Sequence, residues 1–125
     1  MNKKAIYTFS FLVFSFLVSC KNSEKKDTVT PVHIADLHVT VMRNDSTAIL
    51  KPLNAVTVYL FLTDNDRTQN QNTKFSGTVN DSGKISFNNL PDDYYFILAS
   101  HAAYGIKKSE TATPNNSVSY EEINY

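Results

Sequence analysis

The stretch Asp81-Ser82-Gly83-Lys84-Ile85-Ser86-Phe87-Asn88-Asn89-Leu90-Pro91-Asp92-Asp93-Tyr94-Tyr95 combines two turns with two strands. Residues 80–83, Asn-Asp-Ser-Gly, fit a type I turn, which favours Asn at its first position and Gly at its last. Ile85-Ser86-Phe87 alternates apolar and polar side chains, which is typical of a strand with one buried face. Tyr94 to Ala102 is a longer apolar strand. The stretch therefore predicts two successive β-strands joined by short turns.

The rest of the domain has the same organisation of short strands and polar turns. Segments rich in β-branched and aromatic residues, or alternating apolar and polar ones, predict further strands. The polar residues 63–72 predict a surface loop, and no segment shows the 3.6-residue period of an amphipathic helix. Short strands separated by turns indicate a β-sandwich or a β-barrel. The further strands are residues 37–41, 56–63, 75–79 and 117–120, the last with an extension to Ile123 left open.

Residues 81–95 resemble a group of β-sandwich domains that includes carboxypeptidase regulatory-like, transthyretin-like and collagen-adhesin B-type domains. The signature of that group is Asp-x-Gly, an alternating strand with Phe, Leu-Pro, and then Gly-x-Tyr. Upstream, Pro52-Leu53 before Val56-Thr57-Val58 resembles the group's second strand, so the resemblance covers about residues 34–110. It implies a single antiparallel Greek-key β-sandwich of about seven strands in residues 34–125. The matching residues are Asp81, Gly83, Phe87, Leu90, Pro91 and Tyr95.

Two residues depart from the pattern of this group. Asp93 stands where its members usually have Gly, and Ala55 stands where they often have Gly before the second strand. Because Asp adopts the left-handed backbone conformation more readily than most residues, we expect Asp93 to make the turn there. The resemblance implies no catalytic activity, because in carboxypeptidases this sandwich is an accessory domain.

The N-terminal residues have the pattern of a secretory signal peptide. Lys3 and Lys4 are followed by residues 5–19, which carry no charge and are rich in Phe, Leu and Val. This apolar run is short for a spanning helix, which needs roughly 20 residues. Leu17-Val18-Ser19-Cys20 resembles the lipobox of bacterial lipoproteins. That resemblance implies cleavage before Cys20, a diacylglyceryl group on its thiol, and acylation of the new amine, for example with palmitate.

The mature chain is expected to consist of an anchor, a tether and the sandwich. Residues 20–33 comprise the lipidated Cys20 and a polar segment that we interpret as a flexible tether, and residues 34–125 form the domain. Cys20 is the only cysteine, so no intramolecular disulfide can form in this exported chain. Lys21 follows Cys20 in place of the Asp that retains many lipoproteins in the inner membrane. We therefore expect an outer-membrane lipoprotein, with its periplasmic or surface orientation left open.

The charge of the domain argues against nucleic acid as a partner. From residue 34 onward there are seven Lys and Arg against ten Asp and Glu, a net charge of −3. Phosphate backbones are bound by clusters of Lys and Arg, and this sequence has no such cluster. The expected partners are the membrane, through the lipid on Cys20, and a protein or glycan near its surface.

No catalytic or metal-binding constellation is evident in the sequence. His33, His38 and His101 lack the close spacing of zinc ligands. Asp64-Asn65-Asp66, together with Asp81 or with Asp92-Asp93, offers oxygen ligands for calcium, but the twelve-residue calcium loop pattern is absent. We therefore predict no enzyme activity, no cofactor and no metal, and leave calcium binding by the acidic loops open.

Aromatic residues supply the one candidate contact surface. The chain has seven Tyr and no Trp, and several aromatic side chains lie on the strand faces opposite Tyr95 and Ile97. Such rings stack on sugars or anchor protein partners, although the faces could also simply be packed. We predict a non-enzymatic module for display, adhesion or assembly with protein partners, with an accessory glycan- or ligand-binding lipoprotein of an uptake system as the alternative. The candidate contact residues are Tyr59, Phe61, Tyr94, Phe96 and Tyr104.

Overall fold

The computed structural model describes residues 29–125, which form eight strands and one short helix. The predicted signal peptide, Cys20 and the predicted tether as far as residue 28 lie outside the described residues. Two sheets pack face to face, which confirms the predicted all-β sandwich. The elements are β1 (Ala35–Asn44), β2 (Leu50–Pro52), β3 (Thr57–Phe61), α1 (Asp64–Gln69), β4 (Phe75–Thr78), β5 (Lys84–Leu90), β6 (Tyr94–His101), β7 (Gly105–Ala112) and β8 (Ser117–Asn124).

The two sheets differ in how their strands pair. Sheet B has the order β4-β3-β6-β7, and all its neighbouring strands are antiparallel. In sheet A, β1 pairs antiparallel with β2 and β5 and parallel with β8. The sequence did not predict this parallel pair. It arises because the chain crosses from the end of β7 to the start of β1, where the Asn116 N–H donates to the Ile34 carbonyl. From that point β8 runs in the same direction as β1.

The core lies between the two sheets and is built by alternation along each strand. In β1, Leu37, Val39 and Val41 are fully buried, while the residues between them are partly exposed. Burying one such side chain contributes about 1.5–3 kcal/mol, so this face holds the sheets together. The alternate residues of β1 point away from the core and lie at the outer face of sheet A. The fully buried core residues are Leu37, Val39, Val41, Val56, Val58, Leu60, Leu90, Tyr95, Ile97 and Ala99.

The turn before β5 forms as the sequence predicts. The Asn80 carboxamide oxygen accepts hydrogen bonds from the backbone N–H groups of Ser82 and Lys84, at 2.9 and 3.0 Å. The Gly83 N–H donates to the Asn80 carbonyl at 2.9 Å, and Gly83 has a φ of +70°. This rigid turn fixes where β5 begins.

The expectation that Asp93 adopts a left-handed conformation is wrong. The positive φ in this region belongs to Asn89, at 56°, where β5 contains one residue more than the facing part of β1. The Asn89 N–H donates to the Asp36 carboxylate at 2.9 Å, and β5 still pairs with β1 at Leu90 beyond this bulge. Ala55 does have a positive φ, 55°, and thus keeps the backbone conformation that Gly provides in the similar domains.

The prediction of a plain loop at residues 63–72 is also wrong, because α1 lies within it. The Thr63 hydroxyl accepts a hydrogen bond from the Asp66 N–H, which caps the first turn of the helix. Asn70 ends the helix in the left-handed conformation. Hydrogen bonds from Asn72 and Thr63 hold the pKa of Asp66 below its ordinary value.

No helix within residues 29–125 is long and apolar enough to cross a membrane.

Candidate functional site

The outer face of sheet A carries the most exposed aromatic ring of the β-strands. Tyr120 on β8 is 76% exposed. The parallel register places it beside His38 on β1, and the two rings stack with centroids 5.3 Å apart and planes inclined by 30°. His38 Nδ1 lies 2.6 Å from the Ser86 hydroxyl oxygen on β5. One row of side chains therefore links three strands and holds the tyrosine ring against an oriented imidazole.

The next row of the same face completes an open cavity. Thr40 on β1 pairs with Lys84 on β5 and with Glu122 on β8. His38, Thr40, Lys84 and Tyr120 line a cavity of about 280 Å³, here named the Tyr120 cavity. One aromatic face, one hydroxyl, one imidazole and one ammonium group meet there. This combination suits a ligand that has both an apolar face and several hydrogen-bonding groups.

A second cavity of about 240 Å³, here named the proximal cavity, lies on the same face near the start of β1. Ile34 and Val118 give it an apolar part, and both are partly exposed. The two cavities follow one another along β1 and β8, since Val118 and Tyr120 both point outward. The proximal cavity is lined by Ile34, Ala35, Asp36, Asn89, Asn116, Ser117 and Val118.

The predicted contact residues of sheet B are partly covered by α1. Phe61 is fully buried although it points away from the sandwich core. The Arg67 guanidinium of α1 lies 5.2 Å from the centre of the Phe96 ring, and its Nη1 donates to the Ser109 carbonyl. The Tyr59 ring lies 6.5 Å from the Phe61 ring. The structure therefore indicates that Phe61 and Phe96 are packed beneath α1 and do not form a contact surface.

Tyr94 and Tyr104 are exposed, at 41% and 48%, but Tyr94 begins β6 whereas Tyr104 lies in the turn after the other end of that strand. That strand is about 25 Å long for its eight residues. Tyr94 packs edge-on against Phe96 at 5.3 Å, while Tyr104 packs against His101 at 4.7 Å. Thus the five candidates do not form one continuous surface. A contact role for Tyr94 or Tyr104 stays a prediction.

Sequence reasoning missed the Tyr120 cavity. Residues 117–120 were predicted as a strand, but the strand that faces them was not predictable from local pattern. Only the pairing of β8 with β1 brings Tyr120 to His38, which is 82 residues earlier in the chain. The sequence offered one local signal for this site, namely the position of the Tyr120 ring on the outward face of a polar strand.

The titratable groups with shifted pKa values are explained by turns and core contacts. A hydrogen bond from Lys51, with others from Thr47, holds the pKa of Asp45 far below its ordinary value in the turn after β1. Burial, followed by the nearby Asp92 carboxylate, raises the pKa of Tyr95. Burial and the neighbouring Glu110 raise the pKa of Tyr94. These shifted groups lie outside the Tyr120 cavity.

No group of three or more His, Cys, Asp or Glu within residues 29–125 is arranged to hold a metal ion. His33 lies where the tether joins the domain. Its Nδ1 is 3.1 Å from the Leu90 carbonyl, and its Nε2 is 2.7 Å from an Asp93 carboxylate oxygen without hydrogen-bond orientation. His101 Nδ1 instead accepts from the Ala103 and Tyr104 N–H groups. The three histidines therefore have three separate surroundings.

The fold and this surface define a small β-sandwich protein with an aromatic and polar cavity on one sheet. No protein family model matches the sequence, and no curated protein matches it either.

Two solved structures share the fold. The TIE protein of Bacillus anthracis superposes with a TM-score of 0.55 and 12% identity over 74% of this chain. The matched region is 16% of the length of that protein. A protein from Pseudomonas aeruginosa, with carbohydrate binding as its proposed function, superposes with a TM-score of 0.55 and 9% identity. That match covers 75% of this chain and 90% of the other. At such low identities, both likenesses show a common fold alone.

Proposed function

We propose that this protein is a non-catalytic carbohydrate-binding lipoprotein of a bacterial cell envelope, with the Tyr120 cavity as its binding site. The observation that carries the proposal is the exposed Tyr120 ring, which borders a cavity lined by His38, Thr40 and Lys84. The β-sandwich belongs, in this proposal, to the transthyretin-like and B-type group that residues 81–95 resemble.

The chemistry of the cavity supports a sugar ligand. A pyranose ring has apolar C–H faces that pack on an aromatic ring, and its hydroxyl groups need hydrogen-bond partners around its edge. Tyr120 offers the ring, and His38, Thr40 and Lys84 offer the partners. His38 is already oriented by the Ser86 hydroxyl, so little ordering is needed when a ligand binds. The carbohydrate-binding function proposed for the similar Pseudomonas aeruginosa protein is in line with this assignment.

The lipid anchor would determine where this site works. Cys20 follows the lipobox-like Leu17-Val18-Ser19, and the tether enters the sandwich at the start of β1. His38 lies three residues into β1, about 10 Å from that entry point. A tether of about a dozen residues reaches roughly 40 Å, so bound sugar would be held near the outer membrane.

A second candidate function, assembly with an envelope protein, is favoured by the proximal cavity. Ile34 and Val118 expose 41% and 48% of their surfaces beside it, close to the tether. A contiguous exposed apolar patch is typical of a protein contact site, and these two side chains line the same cavity. Co-purification of one envelope protein that is lost with Val118→Asp and kept with Tyr120→Ala would favour assembly.

The binding proposal is tested by measuring glycan binding of the purified mature protein on an oligosaccharide array and by calorimetry. Tyr120→Ala is expected to weaken binding about tenfold or more, because the stacking face is lost. Tyr104→Ala removes an exposed tyrosine at the far end of β6 and is the matched control, with binding unchanged. Equal affinity of Tyr120→Ala and the wild type would contradict the assignment of the site.

The anchor is tested by labelling growing cells with a clickable fatty-acid analogue. The wild-type protein is expected to take up label and to fractionate with the outer membrane, whereas Cys20→Ala is expected to take up none. Labelled Cys20→Ala protein would show that the lipid is attached elsewhere.

A further inference from the structure

We infer that the sugar bound in the Tyr120 cavity carries an anionic substituent, a carboxylate or a sulfate, and that Lys84 pairs with it. This inference rests on the proposed function and deepens it by naming the chemical class of the ligand. It depends on the charges that line the cavity and on the partners of the charges around it.

Lys84 is the one lysine or arginine among the four residues that line the cavity, and no carboxylate is among them. Within residues 29–125 the ion pairs are His33 with Asp93, Lys51 with Asp45, and Arg67 with Asp64. Lys84 takes part in none of them. Its backbone N–H is fixed by Asn80, so the side chain starts from a rigid position beside the cavity.

The carboxylates of the same face are engaged elsewhere. Glu122 lies across Thr40 from Lys84, and its Oε1 accepts a hydrogen bond from the Asn124 side chain at 3.0 Å. Asp36, one row beyond His38, accepts from the Asn89 N–H. Neither forms an ion pair with Lys84, so the ammonium group stays available beside the aromatic ring, while Glu122 keeps its negative charge on the other side of Thr40.

An acidic sugar matches this arrangement better than a neutral one. The ring of a uronic acid or sulfated sugar would stack on Tyr120 and direct its anionic group to the ammonium of Lys84. A charge-assisted hydrogen bond of this kind is roughly twice as strong as a neutral one, although solvent screens it at an exposed site. We therefore expect Lys84 to contribute about a three- to tenfold difference in affinity that declines as salt is added.

The test is calorimetry of the purified mature protein with three oligosaccharides of equal length: a galacturonan, a heparin-derived sulfated sugar and a neutral mannan. The variants are Lys84→Gln, Lys84→Arg and Tyr120→Ala, with Lys74→Gln as an exposed lysine on another surface. One or both acidic sugars are expected to bind more tightly than mannan. Lys84→Gln should remove that preference, Lys84→Arg should keep it, and Lys74→Gln should have no effect. Circular dichroism verifies that each variant is folded.

The outcomes separate this inference from the proposed function. Preference for the galacturonan or for the sulfated sugar identifies the anionic group. If mannan binds as well as the acidic sugars and Lys84→Gln changes nothing, the inference is overturned while glycan binding stands. If no sugar binds, or Tyr120→Ala binds like the wild type, the proposed function itself is overturned.

Discussion

Gly83→Ala is expected to destabilise the domain by more than about 3 kcal/mol, a large share of the roughly 5–15 kcal/mol that is typical of a folded domain. An added Cβ at Gly83 would lie 2.3 Å from the Val41 carbonyl oxygen and 3.2 Å from the Leu53 nitrogen. That carbonyl belongs to the central strand β1, and the Gly83 carbonyl itself accepts the Val41 N–H at 2.7 Å. Relief of the clash would thus break the contact between the turn and β1.

The matched control for this substitution is Gly105→Ala. Gly105 also has a positive φ, 79°, but an added Cβ there meets no atom within 4 Å. Gly105→Ala should cost only about 1–2 kcal/mol of stability, because Ala adopts a positive φ less readily than Gly. Urea denaturation of both variants measures the difference. Equal losses would mean that backbone conformation, and not the close approach to Val41, makes glycine necessary at residue 83.

Phe61→Ala is expected to cost about 3–5 kcal/mol of stability, as for a buried aromatic residue. The sequence marks this residue as a candidate for surface contact, but the structure buries it between sheet B and α1. Its removal would leave a cavity beside Phe96, which is its partner on β6 and carries the Arg67 guanidinium of α1 on its ring. Thermal and urea unfolding monitored by circular dichroism measure the loss.

Tyr94→Ala is the control for Phe61→Ala, because Tyr94 lies on the same outer face but is 41% exposed. Its loss of stability should be about 1–2 kcal/mol. If both variants lose similar stability, α1 does not cover Phe61 in solution. In that case the outer face of sheet B would again be a candidate contact surface.

The parts of the fold that could be predicted from the sequence are those determined by neighbouring residues. The turn at residues 80–83 follows from Asn at its start and Gly at its end. The central part of β1 and all of β3 follow from alternating or β-branched residues that bury one face. Ala55 was identified only as a departure from the Gly of the similar domains, and its positive φ of 55° was not predicted.

The missed strands lack such local signals. Strand β7, with the sequence Gly-Ile-Lys-Lys-Ser-Glu-Thr-Ala, is an edge strand with mostly exposed side chains, and its pairing with β6 defines it. Strand β2 has three exposed residues and forms through its pairing with β1. Helix α1 differs from them, because its caps at Thr63 and Asn70 are local signals, but it has no buried residue and therefore no apolar period that predicts it.

The candidate site was hidden from sequence reasoning for the same reason. Tyr120, His38 and Lys84 come from three strands, and the parallel pairing of β1 with β8 brings the first two together. Thr113 helps to set that pairing, because its buried hydroxyl donates to the Asp92 carbonyl in the segment that crosses between the sheets. A local pattern could identify an outward tyrosine but not its neighbours.

Amide chemical-shift mapping by NMR, with isotope-labelled mature protein and the tightest-binding oligosaccharide, shows which face of the sandwich binds sugar. We expect the shifted amides to cluster on the outer face of sheet A, around His38, Lys84 and Tyr120. Amides near Tyr94 on sheet B and near Tyr104 in the turn after β6 should remain unchanged. Shifts confined to sheet B would contradict the assignment of the Tyr120 cavity as the binding site, as would the absence of saturable shifts with any of the sugars.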